Sequence, residues 1–149
     1  MKDGAVGTCQ VMVVDDDSAC RETYGSLLTM AGHAVVSACD GQDALDKLET
    51  AAQLPCVILL DLRMPRLDGY GFRAAQRRHP RLGGVPVVVM SAERPTEAQL
   101  SELDPQAYLN KPCGLRDILG AVQAVCDCGT CAAQLPCSQG ARSAAARSV

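Results

Sequence analysis

VMVVDDDSAC, residues 11–20, places an apolar run directly before three carboxylates, Asp15, Asp16 and Asp17. Two carboxylates held about 4 Å apart repel each other by roughly 4 kcal/mol at an effective dielectric constant near 20. A fold that keeps these side chains together must therefore contain an interaction that offsets the repulsion. Two explanations are open: Asp17 or Ser18 caps a helix while the other carboxylates face water, or the group binds a divalent cation.

Length and composition indicate a single globular domain. The chain has 149 residues, of which 48% are hydrophobic, enough to bury a core. A net charge of −3 gives no broad basic field, so direct contact with nucleic acid or with a membrane surface is not expected. No apolar run has the length of a membrane helix, and the opening sequence MKDGAVGTCQ lacks the apolar core of a signal peptide. We therefore expect a cytoplasmic protein.

The nine cysteines do not predict a disulfide framework, because their number is odd and most of them are isolated. Five stand singly among apolar elements: Cys9, Cys20, Cys39, Cys56 and Cys113. In such positions a thiol acts as a small apolar side chain. A reducing cytosol keeps these thiols unoxidised.

A second group of cysteines lies near the C-terminus, at Cys126, Cys128, Cys131 and Cys137. Four thiolates are enough for a zinc site, but the spacing of these four fits no standard arrangement of zinc ligands. The sequence that follows, QGARSAAARSV, is typical of a disordered tail. A structural metal in this segment stays an open alternative.

Short apolar runs alternate with amphipathic stretches along the chain. The five runs are residues 10–14, 33–38, 55–60, 85–90 and 107–110. Because they are rich in Val and Ile and lack strict alternation, they are typical of strands buried on both faces of a parallel sheet. Apolar residues at helical spacing lie between them, as at Cys20, Tyr24, Leu27, Leu28 and Ala31, and at Leu115, Ile118, Leu119, Val122 and Val125. The order predicts a three-layer α/β fold around a doubly wound, five-stranded parallel sheet.

Reactive side chains stand at the ends of four of these runs. In one doubly wound fold the strand order is 2-1-3-4-5, and ligands bind beyond the carboxyl ends of the strands where that order reverses. Asp15 and Asp16 follow the first run, Asp61 the third, Ser91 the fourth and Lys111 the fifth. The predicted order therefore brings three acids, a hydroxyl and an ammonium to one edge of the sheet.

Four motifs in register carry a family resemblance. VVDD, LLDLRMPRLDGY, VVVMSAE and YLNKP occur in this order, and together they resemble the receiver domain of bacterial two-component response regulators in its chemotaxis-type, single-domain form. The resemblance implies a flavodoxin-like receiver fold over residues 9–126. It leaves residues 1–8 as an N-terminal extension and residues 127–149 as a cysteine-containing, disordered tail.

The acidic residues at the sheet edge predict a magnesium site. Asp15, Asp16 and Asp61 offer only oxygen ligands, which select a hard cation, and Mg²⁺ takes few carboxylates while it keeps several waters. The resemblance implies that Asp16 and Asp61 contact the metal directly, Asp15 does so through water, and Arg63 contributes only its backbone carbonyl. No organic cofactor is expected.

By the same resemblance, Asp61 is the nucleophile that accepts a phosphoryl group from a phosphohistidine on a sensor histidine kinase or phosphotransfer protein. Lys111 is the expected partner of a phosphoryl oxygen, and Ser91 can donate its hydroxyl to another. The family carries a cis peptide at the step from Lys111 to Pro112. Such a domain catalyses only its own phosphorylation and dephosphorylation, so it is a signalling domain rather than a conventional enzyme.

Two further roles follow from the family pattern. Ser91 and Tyr108 occupy the positions of a switch, in which the aromatic ring turns inward as the hydroxyl approaches the phosphoryl group. Arg63 and Glu93 flank the mouth of the site, at positions that tune the lifetime of the acyl phosphate in the family. Their opposite charges on neighbouring strand ends make an ion pair across the mouth sterically plausible.

The sequence departs from the family pattern at the output surface. Helix 4, strand 5 and helix 5 form the usual partner face, but the segment from Ser91 to Lys111 is tight and contains LDPQ at residues 103–106. We therefore expect helix 4 to be short or recast. About 23 residues follow helix 5, too few for a DNA-binding output domain, so the expected output is docking to another protein or onward phosphoryl transfer.

A haloacid-dehalogenase-type phosphatase is the enzymatic alternative. VMVVDDDS resembles its first motif, with Asp15 as nucleophile and Asp17 as acid/base, and Ser91 and Lys111 fit its later motifs. That family also needs an acidic pair after the lysine, where this chain offers only Asp117 and Asp127. The alternative leaves LLDLRMPRLDG unexplained.

Overall fold

Five β-strands alternate with five α-helices along residues 10–125, the part of the chain that the computed structural model describes. The strands are β1 (Gln10–Val14), β2 (Ala34–Ala38), β3 (Val57–Asp61), β4 (Val87–Ser91) and β5 (Ala107–Asn110). The helices are α1 (Ser18–Met30), α2 (Gly41–Thr50), α3 (Gly69–Arg78), α4 (Glu97–Leu103) and α5 (Leu115–Val125). Within these residues, no helix is both long enough and apolar enough to cross a lipid bilayer.

All strands are parallel, and their order in the sheet is β2-β1-β3-β4-β5. The predicted fold class and strand order are therefore confirmed. The order reverses at β1, where Val11 pairs with Val35 of β2 on one side and with Val57 of β3 on the other. Asp61 is level with Met90 of β4, so the carboxyl ends of the central strands meet at one edge.

The three central strands divide the core into two apolar layers. Alternate residues of β1 point to opposite faces of the sheet, so that Met12 belongs to one buried cluster and Val13 to the other. The first cluster joins the sheet to α2 and α3 through residues such as Leu48 and Phe72, and the second joins it to α1 and α5 through residues such as Leu28. Burial of each such large side chain contributes about 1.5–3 kcal/mol.

The edge strands differ from the expectation of burial on both faces. Every residue of β3 and β4 is buried, whereas only Ala38 of β2 is, and β5 is half-buried or exposed throughout. An edge strand has a neighbour on one side alone, and the helices cover it incompletely. In α5 the apolar pattern also over-predicts burial, because Ile118 and Val122 are buried but Leu115 is 41% exposed.

Helix α4 is short, as expected, with only seven residues. Its C-cap residue is Asp104, which adopts a left-handed conformation with φ of 48°. Arg73 of α3 holds this end: its buried guanidinium donates to the carbonyls of Leu103 and Asp104 and to the side-chain oxygen of Gln76, each at 2.7 Å. The side-chain amide of Gln76 donates in turn to the carbonyls of Leu82 and Val85, in the segment before β4. A buried polar network therefore joins α3 both to the end of α4 and to the segment before β4.

Arg73→Leu should lower the free energy of unfolding by about 2–4 kcal/mol, because it leaves two buried acceptors, on Leu103 and Gln76, and one part-buried acceptor, on Asp104, without this donor. Urea denaturation of the variant and the parent chain measures this loss. Arg77→Leu is the matched control, since the guanidinium of Arg77 donates to the carbonyl of Glu102 at 3.1 Å from an exposed position. The free energy of unfolding of Arg77→Leu should fall by less than about 1 kcal/mol. Equal losses in the two variants would show that the buried network contributes nothing beyond a surface contact.

Candidate functional site

The candidate site lies at the carboxyl edge of the sheet, where four strands place their last or next residues. Asp15 follows β1, Asp61 ends β3, Ser91 ends β4 and Lys111 follows β5. The backbone N–H of Lys111 donates to the carbonyl of Ser91 at 2.9 Å, which keeps these two strand ends together. The side chains that the sequence predicted to converge therefore stand on adjacent strands.

Asp15, Asp16 and Asp61 form a compact group of oxygen donors. One carboxylate oxygen from each lies within 4.8 Å of the others. Asp15 and Asp61 are buried, whereas Asp16 is exposed, so the group opens to water on one side. An all-oxygen set with room for water ligands suits Mg²⁺, which keeps part of its hydration shell. The residues present therefore fit the expected cation.

Lys111 supplies the interaction that the acidic stretch requires. Its Nζ lies 2.6 Å from Oδ2 of Asp15 and 3.5 Å from Oδ1 of Asp61. Burial disfavours the ammonium, but the hydrogen bond and charge of Asp15 together with the charge of Asp61 raise the pKa of Lys111. The lysine thus stays cationic and partly offsets the repulsion between the two carboxylates.

Asp61 is the carboxyl whose ionised form is disfavoured by burial next to Asp15. Burial raises its pKa to about 6, and the charge of Asp15 adds to the effect, while Lys111 acts in the opposite direction. At neutral pH the carboxylate is still largely ionised, and it is a more basic oxygen nucleophile than an ordinary aspartate. A buried carboxyl of this kind is a common feature of functional sites.

Asp15 is held from three directions. Its Oδ1 accepts from the N–H of Asp17 at 3.0 Å, its own N–H donates to the carbonyl of Ala38 at 3.1 Å, and its carbonyl accepts from Arg21 Nη1 at 2.7 Å. Asp17 itself caps α1, where its carboxylate accepts from the N–H of Ala19 at 2.9 Å. The first explanation is therefore correct in that Asp17 caps α1 and Asp16 is exposed, and it is wrong in that Asp15 is buried instead of facing water. Arg21 was not predicted, and only its place one turn into α1 could have indicated it.

The loop after Asp61 returns close to the strand that it leaves. The N–H of Gly69 donates to the carbonyl of Leu62 at 2.9 Å. A Cβ atom at Gly69 would lie 2.6 Å from the carbonyl oxygen of Asp61 and 2.8 Å from Cα of Leu62. Only glycine fits this close approach, which accounts for the DG step in the MPRLDGY motif.

Ser91 and Tyr108 have other partners in this structure. The Ser91 hydroxyl donates to the carbonyl of Glu93 at 2.8 Å and accepts from the N–H of Glu93 at 3.2 Å. The hydroxyl of Tyr108 donates to Oδ1 of Asn110 at 2.9 Å. Their roles in a switch therefore stay a prediction. The peptide bond between Lys111 and Pro112 is cis.

Arg63 and Glu93 are in contact at the mouth of the site. The guanidinium of Arg63 donates to the carboxylate of Glu93, and both side chains are mostly exposed. The predicted ion pair is thus present between the loop after β3 and the loop after β4. Its effect on the lifetime of an acyl phosphate stays a prediction.

The acids of the phosphatase alternative and the cysteines lie only partly within the described residues. The carboxylate of Asp117 accepts a hydrogen bond from the N–H of Gly114 at 3.3 Å, so it stabilises the start of α5. Asp127, the other acid that the phosphatase alternative offers, lies outside the described residues. Cys9 and the four C-terminal cysteines from Cys126 to Cys137 also lie outside them. Three of the isolated cysteines, Cys20, Cys39 and Cys113, form no disulfide.

Comparisons with known proteins agree with this geometry. A family model described as the response regulator receiver domain matches residues 11–123. Protein PilG of Pseudomonas aeruginosa is 36% identical over 117 residues, which cover 77% of this chain and 85% of that protein. Response regulator MprA of Mycolicibacterium vanbaalenii is 34% identical over 118 residues, which cover 78% of this chain and 49% of that protein.

Solved structures show the same likeness. The chemotaxis response regulator CheY4 of Vibrio cholerae superposes with a TM-score of 0.73 at 28% identity, covering 79% of this chain and 98% of that one. A putative response regulator from Chloroflexus aurantiacus has a TM-score of 0.72 at 27% identity, with 79% and 97% of the two chains covered. The chain therefore spans nearly all of these relatives but about half of MprA.

Asp61→Asn should stabilise the metal-free protein by about 1–3 kcal/mol at pH 7, because the raised pKa means that the folded state disfavours the ionised carboxyl. Since the native state then binds more protons than the unfolded state between about pH 4 and pH 6, the parent loses stability as the pH rises through this window. The gain in the variant should therefore shrink as the pH falls from 6 to 4.

Urea denaturation in the presence of a chelator, at pH 7 and at pH 4, measures this gain. Asp16→Asn is the control, because Asp16 is exposed and its neutralisation should change stability by less than about 1 kcal/mol. If Asp61→Asn were less stable than the parent, the conclusion that the folded state disfavours the ionised carboxyl of Asp61 would be wrong.

Proposed function

Because the chain belongs to the response regulator receiver domain family, we propose that Asp61 is its phosphoacceptor. The donor is a phosphohistidine on a sensor histidine kinase or a phosphotransfer protein. The observation that carries this assignment is the position of Lys111, whose Nζ lies 2.6 Å from Asp15 and 3.5 Å from Asp61. This ammonium, 15% exposed and beside two carboxylates, is placed to receive a dianionic phosphoryl group next to Asp61.

Asp16 and Asp61 would hold Mg²⁺ directly, together with the backbone carbonyl of Arg63, and Asp15 would do so through water. Support comes from the grouping of the three carboxylates within 4.8 Å and from the exposure of Asp16. When bound, the cation supplies positive charge that neutralises phosphoryl oxygens during transfer. Because the site is open and keeps water, its affinity for Mg²⁺ should be weak.

The side chains of this chain perform the transfer as follows. A carboxylate oxygen of Asp61 forms a bond to phosphorus while the bond between phosphorus and the donor histidine nitrogen breaks, and that nitrogen keeps the electron pair. Lys111 moves part of its hydrogen bonding from Asp15 to a phosphoryl oxygen. Asp15 is held by the N–H of Asp17 and by Arg21, so it stays in place when the lysine turns.

Ser91 and Tyr108 form the proposed switch. To reach a phosphoryl oxygen, the Ser91 hydroxyl must leave the backbone of Glu93, and that hydrogen bond is worth about 1 kcal/mol. Tyr108 must likewise leave Asn110 if its ring turns inward. Each exchange breaks a single hydrogen bond and so costs little free energy. A charged phosphoryl oxygen is also a stronger hydrogen-bond acceptor than a backbone carbonyl. The partner face is formed by α4, β5 and α5.

The biological setting extends the same proposal. The protein acts in the cytoplasm as a signalling domain that catalyses only its own phosphorylation and dephosphorylation. Its output is contact with a downstream protein or onward transfer of the phosphoryl group. The receiver domain comprises residues 9–126, with an extension at residues 1–8 and a cysteine-containing tail at residues 127–149.

Incubation with radiolabelled acetyl phosphate and Mg²⁺ tests the phosphoacceptor. The parent should be labelled, Asp61→Asn should not, and Asp16→Ala should lose most labelling because it removes a metal ligand. Borohydride reduction followed by peptide mapping identifies the modified residue. Asp17→Asn is the control, since asparagine also caps a helix, and it should be labelled normally.

Two outcomes would overturn the assignment. One is a normal labelling rate in Asp61→Asn. The other is a label that maps to Asp15, as the phosphatase alternative requires.

Arg63→Ala and Glu93→Ala should each shorten the half-life of the phosphorylated protein several-fold. The ion pair between these residues spans the mouth of the site and should obstruct the in-line approach of water, although an exposed pair adds only about 0–1 kcal/mol to stability. The double variant should be no faster than the faster single variant, because both changes break the same contact. Loss of radiolabel after removal of the donor measures these rates.

Arg94→Ala is the control for this measurement, since Arg94 is an exposed neighbour of Glu93 and its half-life should equal that of the parent. Additive effects of the two changes would mean that Arg63 and Glu93 act independently. Unchanged half-lives would mean that the mouth is open to water despite the pair.

A further inference from the structure

The loop of residues 62–68, between Asp61 and α3, is fastened to the start of α2. The carbonyl of Leu67 accepts from the N–H of Gly41 at 2.8 Å. A Cβ atom at Gly41 would lie 2.6 Å from that carbonyl oxygen, so the approach is as close as glycine permits. Beside this contact, Nε of Arg66 donates to Oδ2 of Asp40 at 2.7 Å.

The Asp40–Arg66 ion pair joins a buried carboxylate to an exposed loop. The side chain of Asp40 is only 5% exposed, while that of Arg66 is 63% exposed. The hydrogen bond from Arg66 is the main reason that the pKa of Asp40 is lowered. The other oxygen of Asp40 caps α2 by accepting from the N–H of Asp43 at 2.8 Å. One carboxylate therefore serves both the helix and the loop.

The backbone at Arg66 needs such a partner. Its φ of 64° lies in the left-handed region, which residues with a Cβ atom rarely adopt and in which glycine or asparagine is usual. The arginine gains nothing from this conformation by itself. In this structure the conformation occurs together with the contact to Asp40.

The same loop carries the residues that the phosphotransfer site uses. Arg63 belongs to it, with its carbonyl as the proposed metal ligand and its side chain at the mouth. The far end of the loop is fixed by the bond between Gly69 and Leu62. The middle of the loop has two anchors at the start of α2, and a change at Asp40 or Arg66 removes the one that lies nearer to Arg63 in the chain, while the hydrogen bond from Gly41 to Leu67 stays.

We propose that Asp40 and Arg66 are positioning residues, which hold loop 62–68 so that the backbone of Arg63 faces the cation site beside Asp61. This inference rests on the proposed magnesium site, and it assigns a role to two residues that touch neither the cation nor the phosphoryl group. Residues that orient a metal ligand commonly change metal affinity when they are replaced.

Magnesium titration of the full-length chain, followed by amide NMR, tests the proposal. Arg66→Gly keeps the left-handed backbone and removes the ion pair, whereas Asp40→Asn keeps a helix cap and removes the charge. Both variants should therefore fold. Each should raise the Kd for Mg²⁺ on the order of tenfold, and the double variant should bind no more weakly than the weaker single variant.

Arg81→Ala is the matched control. Arg81 also fastens α2, but at the other end of the helix, where its guanidinium donates to the carbonyls of Leu48, at 3.1 Å, and Ala51. The control should lose stability in chelator, as measured by urea denaturation, and keep the Kd of the parent. An equal rise in Kd for Arg81→Ala would mean that metal affinity follows global stability, and it would overturn the positioning role.

Failure of this inference can be distinguished from failure of the proposed function. If the parent binds Mg²⁺, Asp16→Ala does not, and Arg66→Gly and Asp40→Asn bind as tightly as the parent, the positioning role alone is wrong. If Asp16→Ala binds as tightly as the parent, the magnesium site itself is wrong, and the positioning role falls with it.

Discussion

The ion pair between Lys111 and Asp15 is the contact on which the site depends. The two residues are 96 positions apart in the chain, yet Nζ lies 2.6 Å from the carboxylate. They meet because β1, β3, β4 and β5 lie side by side in a parallel register that brings their carboxyl ends to one edge. Without the ammonium, two buried carboxylates would face each other at a cost of several kcal/mol. The strand order therefore brings Lys111 to the carboxylates, and the charge of Lys111 offsets the repulsion that this order creates between them.

Arginine side chains fasten the segments that surround this apolar sheet. Arg73 donates to the end of α4, Arg81 to the end of α2 and Arg21 to the carbonyl of Asp15. A helix end or loop exposes carbonyl groups that an apolar core cannot satisfy, and the forked guanidinium can bind two of them at once. Two layers of aliphatic packing stabilise the sheet, while these hydrogen bonds fix the loops that hold functional groups. Packing and positioning are thus performed by different residues.

The sequence predicted the strands from their apolar runs and the reactive residues at the ends of four of these runs, while the strand order came from the likeness to a doubly wound fold in which parallel strands share an edge. Asp61 and Lys111 were found in this way. Contacts that depend on the reach of a long side chain between distant elements were not predicted: Arg73 with α4, and Arg66 with Asp40, which lies 26 positions away. Their residue types suit a solvent-exposed surface equally well, so composition and periodicity carry no signal for them. The exposure of Leu115 was missed for another reason, since helical spacing identifies the apolar face of α5 but not which of its residues the sheet covers.

Every group proposed to meet the phosphoryl group already has a partner. Lys111 is paired with Asp15, and the hydroxyl of Ser91 with the backbone of Glu93. Phosphorylation in the proposed mechanism is therefore an exchange of partners, whose net free energy is a small difference that can reverse when the phosphoryl group leaves. Glu93 takes part twice, because its backbone holds Ser91 and its side chain binds Arg63. Movement of Ser91 toward the phosphoryl group must then release one end of the segment that carries the mouth pair, so switching and access of water involve the same residue.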